Sequence, residues 1–415
     1  MQDRWFEAGL RARLARPYVH LVFGARQTGK STLVDRVLPS SALRFDLTLA
    51  SERVRLGSDP DELVRDCRAL PRSTSPHYVF IDEAQTVPAV FDAVQHLYDS
   101  DKKRWRFVLC GSSARKLRAS GANLLPGRSM LHRLQPLVLS EREGVPSPGS
   151  SAAHSPLPFA WPDDAPRSAP FAPTGLNERL AWGDLPGVAT APVEDRAELL
   201  RSYALVYLEE EIRREALVRD WSAFVRFVRL AAAESGGIVN YAAISRGSGL
   251  SQPTVKSYYQ LLEDMFLGVR VTPWVSSPRK NVMTSPRFLL FDLGVRHAAA
   301  GLEASLATVL ADPGPLFEQW VGLELHRRLQ YLGRGDLHYY RTHDGAEVDY
   351  VLSIDKRVVP IEVKWTDRPS PHDARQLESF LELHSKSAKL GYVICRCPRP
   401  QQLTERVLAL PWQML

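Results

Sequence analysis

The sequence predicts an α/β protein in which a parallel-sheet domain comes first, a helical region follows and a smaller α/β domain comes last. Three observations predict this order. Short apolar runs alternate with helical patterns over residues 1–143, helix-forming residues dominate Arg196–Ala233, and a pattern of helix, hairpin, helix and strand follows Gly314. Strands that alternate with helices are typical of parallel sheets covered on both faces.

The composition is that of a globular protein. The length of 415 residues indicates about two to three domains, and 44% hydrophobic with 24% charged residues excludes disorder throughout the chain. The net charge of +6 permits a polyanionic partner, but acidic and basic residues are interleaved, so charge alone does not identify one. The four cysteines are too few and too scattered for a disulfide framework or a zinc ribbon.

The first residues carry no secretory signal pattern, because an acid stands at Asp3 and no apolar core follows it. No apolar run approaches the roughly 18 residues that a transmembrane helix needs. We therefore expect a cytoplasmic protein with reduced thiols and no membrane partner.

The sharpest change in composition falls at residues 144–175, where eight of the thirty prolines occur together with serine and alanine. Such a segment lacks the apolar residues of a core, so we predict a Pro-rich disordered insertion at 144–176. The predicted division of the chain is then 1–143, 144–176, 177–300 and 301–415. The strands predicted in the first part are Tyr18–Phe23, Arg44–Leu47, Tyr78–Ile81, Phe107–Cys110 and Leu134–Leu139.

A phosphate-binding loop follows the first predicted strand. Gly24–Ser31 reads GARQTGKS, which fits GxxxxGK[ST], and the helix predicted at Ser31–Leu38 follows it. Glycines let backbone N–H groups turn toward phosphates at a helix amino terminus. Lys30 would reach the β and γ phosphates of ATP, and Ser31 would hold Mg²⁺. The predicted nucleotide-binding residues of this segment are Gly24, Ala25, Arg26, Gln27, Thr28, Gly29, Lys30, Ser31 and Thr32.

A buried strand that ends in two acids is the expected second element of such a site. Asp82 and Glu83 follow the apolar run Tyr78–Ile81. Asp82 would contact the Mg²⁺ shell, and Glu83 would polarise the attacking water. The alternative is an ordinary strand that ends in a solvated acidic pair.

Two further residues are candidates for contact with the γ-phosphate. Ser112 follows the strand Phe107–Cys110 and would sense the phosphate, although a Gly-Ser turn is equally an ordinary strand exit. Arg128 lies in the segment Leu125–Arg128 and would serve as an arginine finger on the nucleotide of a neighbouring subunit. That role would require a homo-oligomer, and the alternative is a solvated loop arginine.

These motifs together resemble a group of bacterial and archaeal AAA-type P-loop ATPases that carry a carboxyl-terminal domain of unknown function. The resemblance implies an AAA-type ATPase domain at 1–143. It rests on the segments GARQTGKS, VFIDEAQ followed by Pro88, LCGSSA, PGR, Leu137–Glu141, Trp182–Gly187 (WGDLPG) and Arg287–Gly294 (RFLLFDLG). The Pro-rich segment is the main departure. DEAQ also fits a DEAD-type helicase, but the second RecA-like core which that class needs is missing from the sequence.

The region 177–300 contains a helix-turn-helix candidate. Val239–Arg246, a glycine turn at 247–249 and the amphipathic run Ser251–Phe266 have the layout of two helices in a winged-helix unit. The side chains expected in its core are Val255, Tyr258, Tyr259, Leu262, Met265 and Phe266. Those expected to face outward are Thr254, Lys256, Ser257 and Gln260, which are able to touch DNA, although a unit that packs against other domains is at least as good an interpretation.

A hairpin is predicted from Glu347–Ile354 and Val358–Trp365. If Asp355 and Lys356 form a two-residue turn, Asp349 lies directly opposite Glu362, and Lys364 shares their face. A slip of one residue would scatter this set, and the turn lacks glycine.

Two carboxylates and a lysine on one strand face are typical of metal-dependent phosphodiester cleavage. The acids would hold Mg²⁺, and Lys364 would orient or activate water. The pattern D-x12-E-x-K resembles the PD-(D/E)XK nuclease core, in which a preceding helix supplies another acid. That resemblance implies Glu318 as a further metal ligand, with Glu324 as its substitute and Gln376 as a weaker match. The alternatives are a solvated strand face and a nuclease fold that has lost activity.

The preferred hypothesis is an ATP-hydrolysing AAA-type protein coupled to a nuclease-like domain that acts on DNA or another nucleic acid. The alternative is a nucleotide-controlled scaffold whose carboxyl-terminal fold binds proteins. Salt separates the two, because log K for nucleic acid falls by about 0.9 per phosphate neutralised. A helicase-like remodeller is the third hypothesis, and it requires strand separation driven by ATP.

Overall fold

The computed structural model describes residues 3–112, 127–144, 175–208, 218, 220–276, 285–342 and 345–415. They form two compact units, an amino-terminal unit of residues 1–135 with 264–266 and a carboxyl-terminal unit of residues 136–263 with 267–415. The predicted insertion lies almost entirely outside the described residues, and the predicted four-part division stays a prediction. In the described part of the chain, no helix has both the length and the apolar character to cross a membrane.

The amino-terminal unit is a parallel sheet with helices, as the alternating pattern predicts. Its strands lie in the order β2-β3-β4-β1-β5, and neighbours pair in parallel. Strands β1 and β4 are buried along their whole length, which explains their continuous apolar sequences. The elements are α1 (Trp5–Leu14), β1 (Val19–Phe23), α2 (Lys30–Val37), β2 (Leu43–Asp46), α3 (Ala50–Ser58), α4 (Asp61–Ala69), β3 (His77–Asp82), α5 (Val90–Ser100), β4 (Trp105–Gly111) and β5 (Ser129–Arg133), with a 3₁₀ turn at Ala84–Thr86.

The strand predicted at Leu134–Leu139 is wrong. Strand β5 ends at Arg133, and a short helix α6 (Leu139–Arg142) begins at Leu139. The apolar run correctly predicts burial, however, because Leu134, Leu137 and Leu139 are buried. A short apolar run does not distinguish a strand from a buried connection, and this one also contains a proline.

The parallel order places functional residues at opposite edges of the sheet. The phosphate-binding loop and Ser112 follow the carboxyl ends of β1 and β4, and Asp82 is the last residue of β3, so all three lie at one edge of the sheet. Arg128 precedes β5, and its carbonyl oxygen accepts from the Val19 N–H at 2.9 Å. Arg128 therefore lies at the amino edge of the sheet.

The carboxyl-terminal unit contains an eight-stranded mixed sheet in the order β12-β13-β11-β10-β9-β8-β6-β7. Its elements are α6 (Leu139–Arg142), α7 (Leu176–Trp182), α8 (Pro186–Ala189), α9 (Val193–Ser202), a π-helix (Tyr203–Leu208), α10 (Trp221–Ala233), α11 (Tyr241–Ser248), α12 (Gln252–Asp264), β6 (Gly268–Pro273), β7 (Arg287–Leu290), α13 (Leu293–Ala300), α14 (Leu306–Ala311), α15 (Pro313–Leu332), β8 (Asp336–Arg341), β9 (Glu347–Ile354), β10 (Arg357–Val363), α16 (Arg375–Leu383), β11 (Gly391–Cys395), β12 (Gln401–Gln402) and β13 (Val407–Pro411), with 3₁₀ turns at Pro371–Ala374 and Trp412–Met414. Strand β6 pairs with β8 in parallel at Thr272 and His338, so one sheet spans the predicted boundary between residues 300 and 301.

The helix-turn-helix layout is present. Helices α11 and α12 are joined at Gly249, which adopts φ 76°, a left-handed value that suits glycine. Of the six side chains predicted for its core, five are buried and Phe266 is half-buried. The buried five are Val255, Tyr258, Tyr259, Leu262 and Met265.

Two segments that carried the family resemblance, WGDLPG and RFLLFDLG, pack against each other. The Asp184 N–H donates to Asp292 at 2.7 Å, and the buried Arg327 donates to Asp184 at 2.8 Å and to the Phe291 carbonyl at 3.0 Å. A Cβ on Gly183 would lie 2.0 Å from Asp292, so only glycine fits there. These segments therefore hold a buried ionic cluster together.

A pair of buried histidines lies on neighbouring strands of the amino-terminal unit. His20 Nε2 donates to the Arg16 carbonyl at 3.3 Å, so its Nδ1 accepts from His132 Nε2 at 3.0 Å. His132 Nδ1 is buried without a hydrogen-bond partner among the described residues. Burial lowers the pKa of His20 to about 4 and that of His132 to about 3.

We expect acid to destabilise this unit through the histidine pair. Unfolded histidine takes up a proton near its usual pKa of 6.5, whereas folded His20 resists protonation down to about 4. The unfolded state therefore binds more protons in this window, and the free energy of unfolding falls by roughly 3 kcal/mol for His20 as the pH drops through it. Urea titrations at pH 7.5 and pH 4.5 measure the loss.

The double variant His20→Leu with His132→Leu should lose much less stability between the two pH values. The exposed His96 provides a matched control, and His96→Asn should keep the full difference. An unchanged pH dependence in the double variant would contradict this explanation.

Candidate functional site

The phosphate-binding loop closes around its own lysine. Lys30 Nζ donates to the carbonyl oxygens of Gly24 at 3.0 Å and Ala25 at 2.9 Å. Gly29 adopts φ 89°, and a Cβ on Gly24 would lie 2.2 Å from the Leu134 carbonyl oxygen, so both glycines of the motif are required by geometry. Helix α2 begins directly at Lys30, with its amino terminus at the loop.

Lys30 is buried, and its partners at Nζ are neutral carbonyl groups. Burial lowers its pKa, while the negative charge of Glu83 opposes that effect. A buried ammonium group without an ion-paired carboxylate gains strongly from an anionic ligand. The loop geometry therefore suits a phosphate as the counter-ion of Lys30.

Both acids of the second motif lie at the same sheet edge as this loop. Asp82 Oδ1 accepts from the Glu83 N–H at 3.0 Å, and both side chains are half-buried. Glu83 adopts φ 51°, which turns its side chain out of the strand direction. Its Oε2 lies 3.7 Å from the Arg26 guanidinium and accepts from Gln85 Nε2 at 2.7 Å.

The other residues predicted to contact the nucleotide do not all lie at the sheet edge that carries the phosphate-binding loop. Ser112 is buried and accepts from Gln85 Nε2 at 3.1 Å, so it belongs to the same group as Glu83. Ser31 is half-buried and Thr32 exposed at the start of α2. Arg128 is not brought to this group, because it lies at the opposite sheet edge and donates to Asp99 at 2.7 Å.

Arg4 also contacts the loop, and sequence reasoning did not identify it. Its buried guanidinium donates to the Thr28 carbonyl at 2.8 Å and to the Gln135 carbonyl at 2.6 Å. These contacts span 24 and 131 residues of sequence, and no local motif signals them. Arg4 therefore ties the loop to the end of the segment that follows β5.

The carboxylate hairpin has the predicted register. Ile354 pairs with Arg357 and Tyr350 with Ile361, which places Asp349 opposite Glu362 one position further. Asp355 adopts φ 56° in the two-residue turn, a conformation that aspartate tolerates better than most residues, so glycine is not needed.

The two carboxylates and the lysine converge on one face. Lys364 Nζ donates to Glu362 Oε1 at 2.7 Å, and the Val363 N–H donates to Asp349 Oδ2 at 2.8 Å. Glu362 Oε2 is buried without a hydrogen-bond partner among the described residues. Burial and the neighbouring Glu362 carboxylate raise the pKa of Asp349 well above its usual range, and burial raises that of Glu362 despite Lys364.

The third predicted acid lies near this pair but has its own counter-ion. Glu318 forms an ion pair with the buried Arg287, which also pairs with Glu347. The Tyr350 hydroxyl donates to the Glu318 carbonyl at 3.0 Å, and Gly322 leaves room for that ring on α15. Sequence reasoning did not predict these ion pairs of Arg287, because Glu318 and Glu347 lie 31 and 60 residues from it in the chain.

The substitute acid Glu324 has a structural role. Its fully buried carboxylate accepts from the Leu139 N–H at the start of α6 and from Arg328. Gln376 is exposed on α16. In the described part of the chain, no three His, Cys, Asp or Glu side chains are close enough to form a metal-ligand group. A metal at this face would therefore rest on Asp349 and Glu362.

The outward face of α12 makes contacts within the protein. Lys256 Nζ lies 5.2 Å from the centroid of the Tyr241 ring, and Gln260 accepts from Arg270 at 3.3 Å. Arg270 also pairs with Glu263. Lys256 and Gln260, two of the side chains expected to face outward, therefore already contact groups within the protein.

Three known families match consecutive parts of the chain. Residues 16–143 match the AAA domain family, which confirms the expectation of an AAA-type P-loop domain. Residues 174–306 and 313–415 match two domains of unknown function, DUF8612 and DUF4143.

Similar proteins extend over most of the chain. Uncharacterized proteins of Mycobacterium bovis and Mycobacterium tuberculosis are each 28% identical over 365 residues, which is 88% of this chain and 74% of theirs. One from Haemophilus influenzae is 21% identical over 387 residues, with coverage of 89% and 88%.

Among solved structures, a point variant of RuvB from Thermotoga maritima has 15% identity, a TM-score of 0.27 and coverage of 68% of this chain and 88% of that one. A Vibrio cholerae protein has 10% identity, a TM-score of 0.19 and coverage of 99% and 92%. Both TM-scores are too low to inform the fold.

We expect Arg4→Met to weaken binding of a fluorescent ATP analogue about tenfold, because it removes the hydrogen bonds that hold the phosphate-binding loop. Hydrogen bonds from charged donors to buried carbonyl groups contribute more than those from neutral donors. An equilibrium titration measures the dissociation constant. The exposed Arg16 provides the control, since Arg16→Met removes the same charge without touching the loop. Equal affinities for wild type and Arg4→Met would contradict the role assigned to Arg4.

Proposed function

We propose that the amino-terminal unit binds ATP and hydrolyses it with the help of Mg²⁺. The observation that carries this proposal is the buried Lys30, which is held by loop carbonyl groups at the same sheet edge as Asp82 and Glu83. The match of residues 16–143 to the AAA domain family supports it independently. In this proposal the oxygens of the β and γ phosphates accept hydrogen bonds from Nζ of Lys30 and from the N–H groups of the loop.

The residues at this edge divide the chemistry between them. Glu83 accepts a proton from the attacking water. The oxygen of that water bonds to the γ phosphorus, and the bond from that phosphorus to the β,γ-bridging oxygen breaks. Lys30 neutralises charge that develops on the phosphate oxygens. The Ser31 hydroxyl and the Asp82 carboxylate are hard oxygen donors that fit Mg²⁺, which when bound would neutralise the phosphate charge.

Lys30→Ala should abolish ATP turnover and lower ATP affinity by at least about tenfold, because it removes the buried cation. Phosphate release and analogue binding measure the two effects. The exposed Lys103 provides the control, and Lys103→Ala should behave as wild type. Turnover that survives Lys30→Ala would place ATP hydrolysis elsewhere.

A second function is supported by a specific observation at the carboxylate hairpin. Glu362 Oε2 is buried beside a second carboxylate and has no hydrogen-bond partner among the described residues, which is the arrangement that a divalent cation would satisfy. We propose a Mg²⁺-dependent nuclease-like site with Asp349 and Glu362 as ligands. Nucleic acid, with DNA as the first candidate, is its proposed partner.

Lys364 fits the role of a charged group at this site. Although burial alone would lower its pKa, the Glu362 carboxylate raises it, so the ammonium form dominates at neutral pH. A charged lysine orients water and neutralises a phosphodiester oxygen but does not accept the proton. Water that attacks phosphorus would form one P–O bond while one ester P–O bond breaks, and the proton that the water loses would pass to the departing ester oxygen.

The helices α11 and α12 with the hairpin of β6 and β7 fit a winged-helix arrangement. We propose that this region packs within the carboxyl-terminal unit rather than reads DNA, since Lys256 and Gln260 make contacts inside the protein. Oligomer formation through Arg128 is not part of the proposal, because Asp99 already pairs with it.

We expect wild-type protein to nick supercoiled plasmid with Mg²⁺, and Glu362→Gln and Lys364→Ala each to reduce nicking at least about a hundredfold. Isothermal titration with Mn²⁺ gives a second readout, in which Glu362→Gln should lose binding and Lys364→Ala should keep it. The exposed Lys386 provides a charge-matched control as Lys386→Ala. Salt-independent plasmid binding without cleavage would favour the protein-binding scaffold.

A further inference from the structure

Gln85 connects Glu83, the proposed catalytic base, to the neighbouring strand. It is only 4% exposed, and its Nε2 donates both to Glu83 Oε2 at 2.7 Å and to Ser112 Oγ at 3.1 Å. Glu83 follows β3, and Ser112 follows β4, so one amide group joins two strand ends at the nucleotide edge of the sheet.

Chemistry fixes the orientation of this amide. An ionised carboxylate only accepts hydrogen bonds, so the nitrogen and not the oxygen of Gln85 must face Glu83. The oxygen then lies over Gly111, where a Cβ would come within 2.4 Å of it. This Oε1 is buried without a hydrogen-bond partner among the described residues. The group is therefore held at some cost, which is typical of functional sites.

A competing partner for Glu83 lies within reach. The Arg26 guanidinium of the phosphate-binding loop is 3.7 Å from the same Oε2 that accepts from Gln85. Half-buried opposite charges attract strongly when no other group restrains them. Without Gln85, the carboxylate would turn toward Arg26 and away from the water that it must polarise.

We propose that Gln85 is the positioning residue of the ATPase site, which holds the Glu83 carboxylate for its reaction with water and ties it to Ser112. The two N–H groups of a primary amide are planar and fixed in angle, so their two acceptors keep a constant separation. A γ-phosphate that contacts Ser112 thereby also fixes the distance to the catalytic carboxylate. This inference rests on the proposed ATP hydrolysis.

The test compares Gln85→Met, which keeps the volume but donates nothing, with Gln85→Ala. Both should lower kcat about 10- to 100-fold, the usual loss when a catalytic base is misplaced, and leave the dissociation constant of a non-hydrolysable ATP analogue within about twofold. Gln95→Met on α5 provides the control of the same chemistry and should keep wild-type kcat. Thermal melting establishes that each variant is folded.

The possible results distinguish a failure of the positioning role of Gln85 from a failure of the proposed ATP hydrolysis. Wild-type kcat in folded Gln85→Met would overturn the positioning role, and so would a parallel loss of turnover and analogue affinity, which indicates a structural role. A loss of kcat in Gln85→Ala but not in Gln85→Met would show that Gln85 acts only through its packing, and this would also overturn the positioning role. Absence of turnover in wild-type protein would instead refute the proposed ATP hydrolysis itself.

Discussion

The cost of burying charged side chains is the constraint on which both units depend. Transfer of an ion out of water is unfavourable unless hydrogen bonds and opposite charges replace the lost hydration. Arg327 meets most of this condition through Asp184 and the Phe291 carbonyl, although its Nε is buried without a hydrogen-bond partner among the described residues, and its cluster holds α15 to the segments around Asp292. Lys30 and Glu362 meet it incompletely, the first through neutral carbonyls and the second with one oxygen unpaired among the described residues. In the proposed functions, an anionic ligand at Lys30 and a divalent cation at Glu362 would lower the cost of burying these two charges.

Sequence periodicity predicted those parts of the sites that depend on strand parity. Successive side chains of a strand alternate between faces, so the hairpin register followed from the length of the turn, and Asp355 in a left-handed conformation supplied that turn without glycine. The same reasoning failed where the run Leu134–Leu139 proved to be a buried connection and a helix start, because burial alone does not specify a strand.

Contacts between distant segments could not be predicted from a single sequence. Arg4 reaches Thr28, and Arg287 reaches Glu318 and Glu347 across 31 and 60 residues, and none of these three pairs belongs to a local pattern. Strand direction places Arg128 at the sheet edge away from the loop of its own chain, since β5 runs parallel to β1, and its expected role on the nucleotide of a neighbouring subunit stays a prediction. A motif indicates which chemistry a residue suits, but the order and direction of the strands decide whether it reaches the site.

The two acidic pairs differ in geometry, and this difference favours different chemistry. Asp82 and Glu83 are consecutive, and the left-handed conformation of Glu83 turns its carboxylate away from the strand toward Gln85. Consecutive acids therefore separate, so that one suits a metal ion and the other water. Asp349 and Glu362 instead lie opposite each other on paired strands, which keeps both carboxylates on one face and raises the pKa of each through burial. Two buried carboxylates on the same face repel each other, and a shared divalent cation removes that repulsion at both.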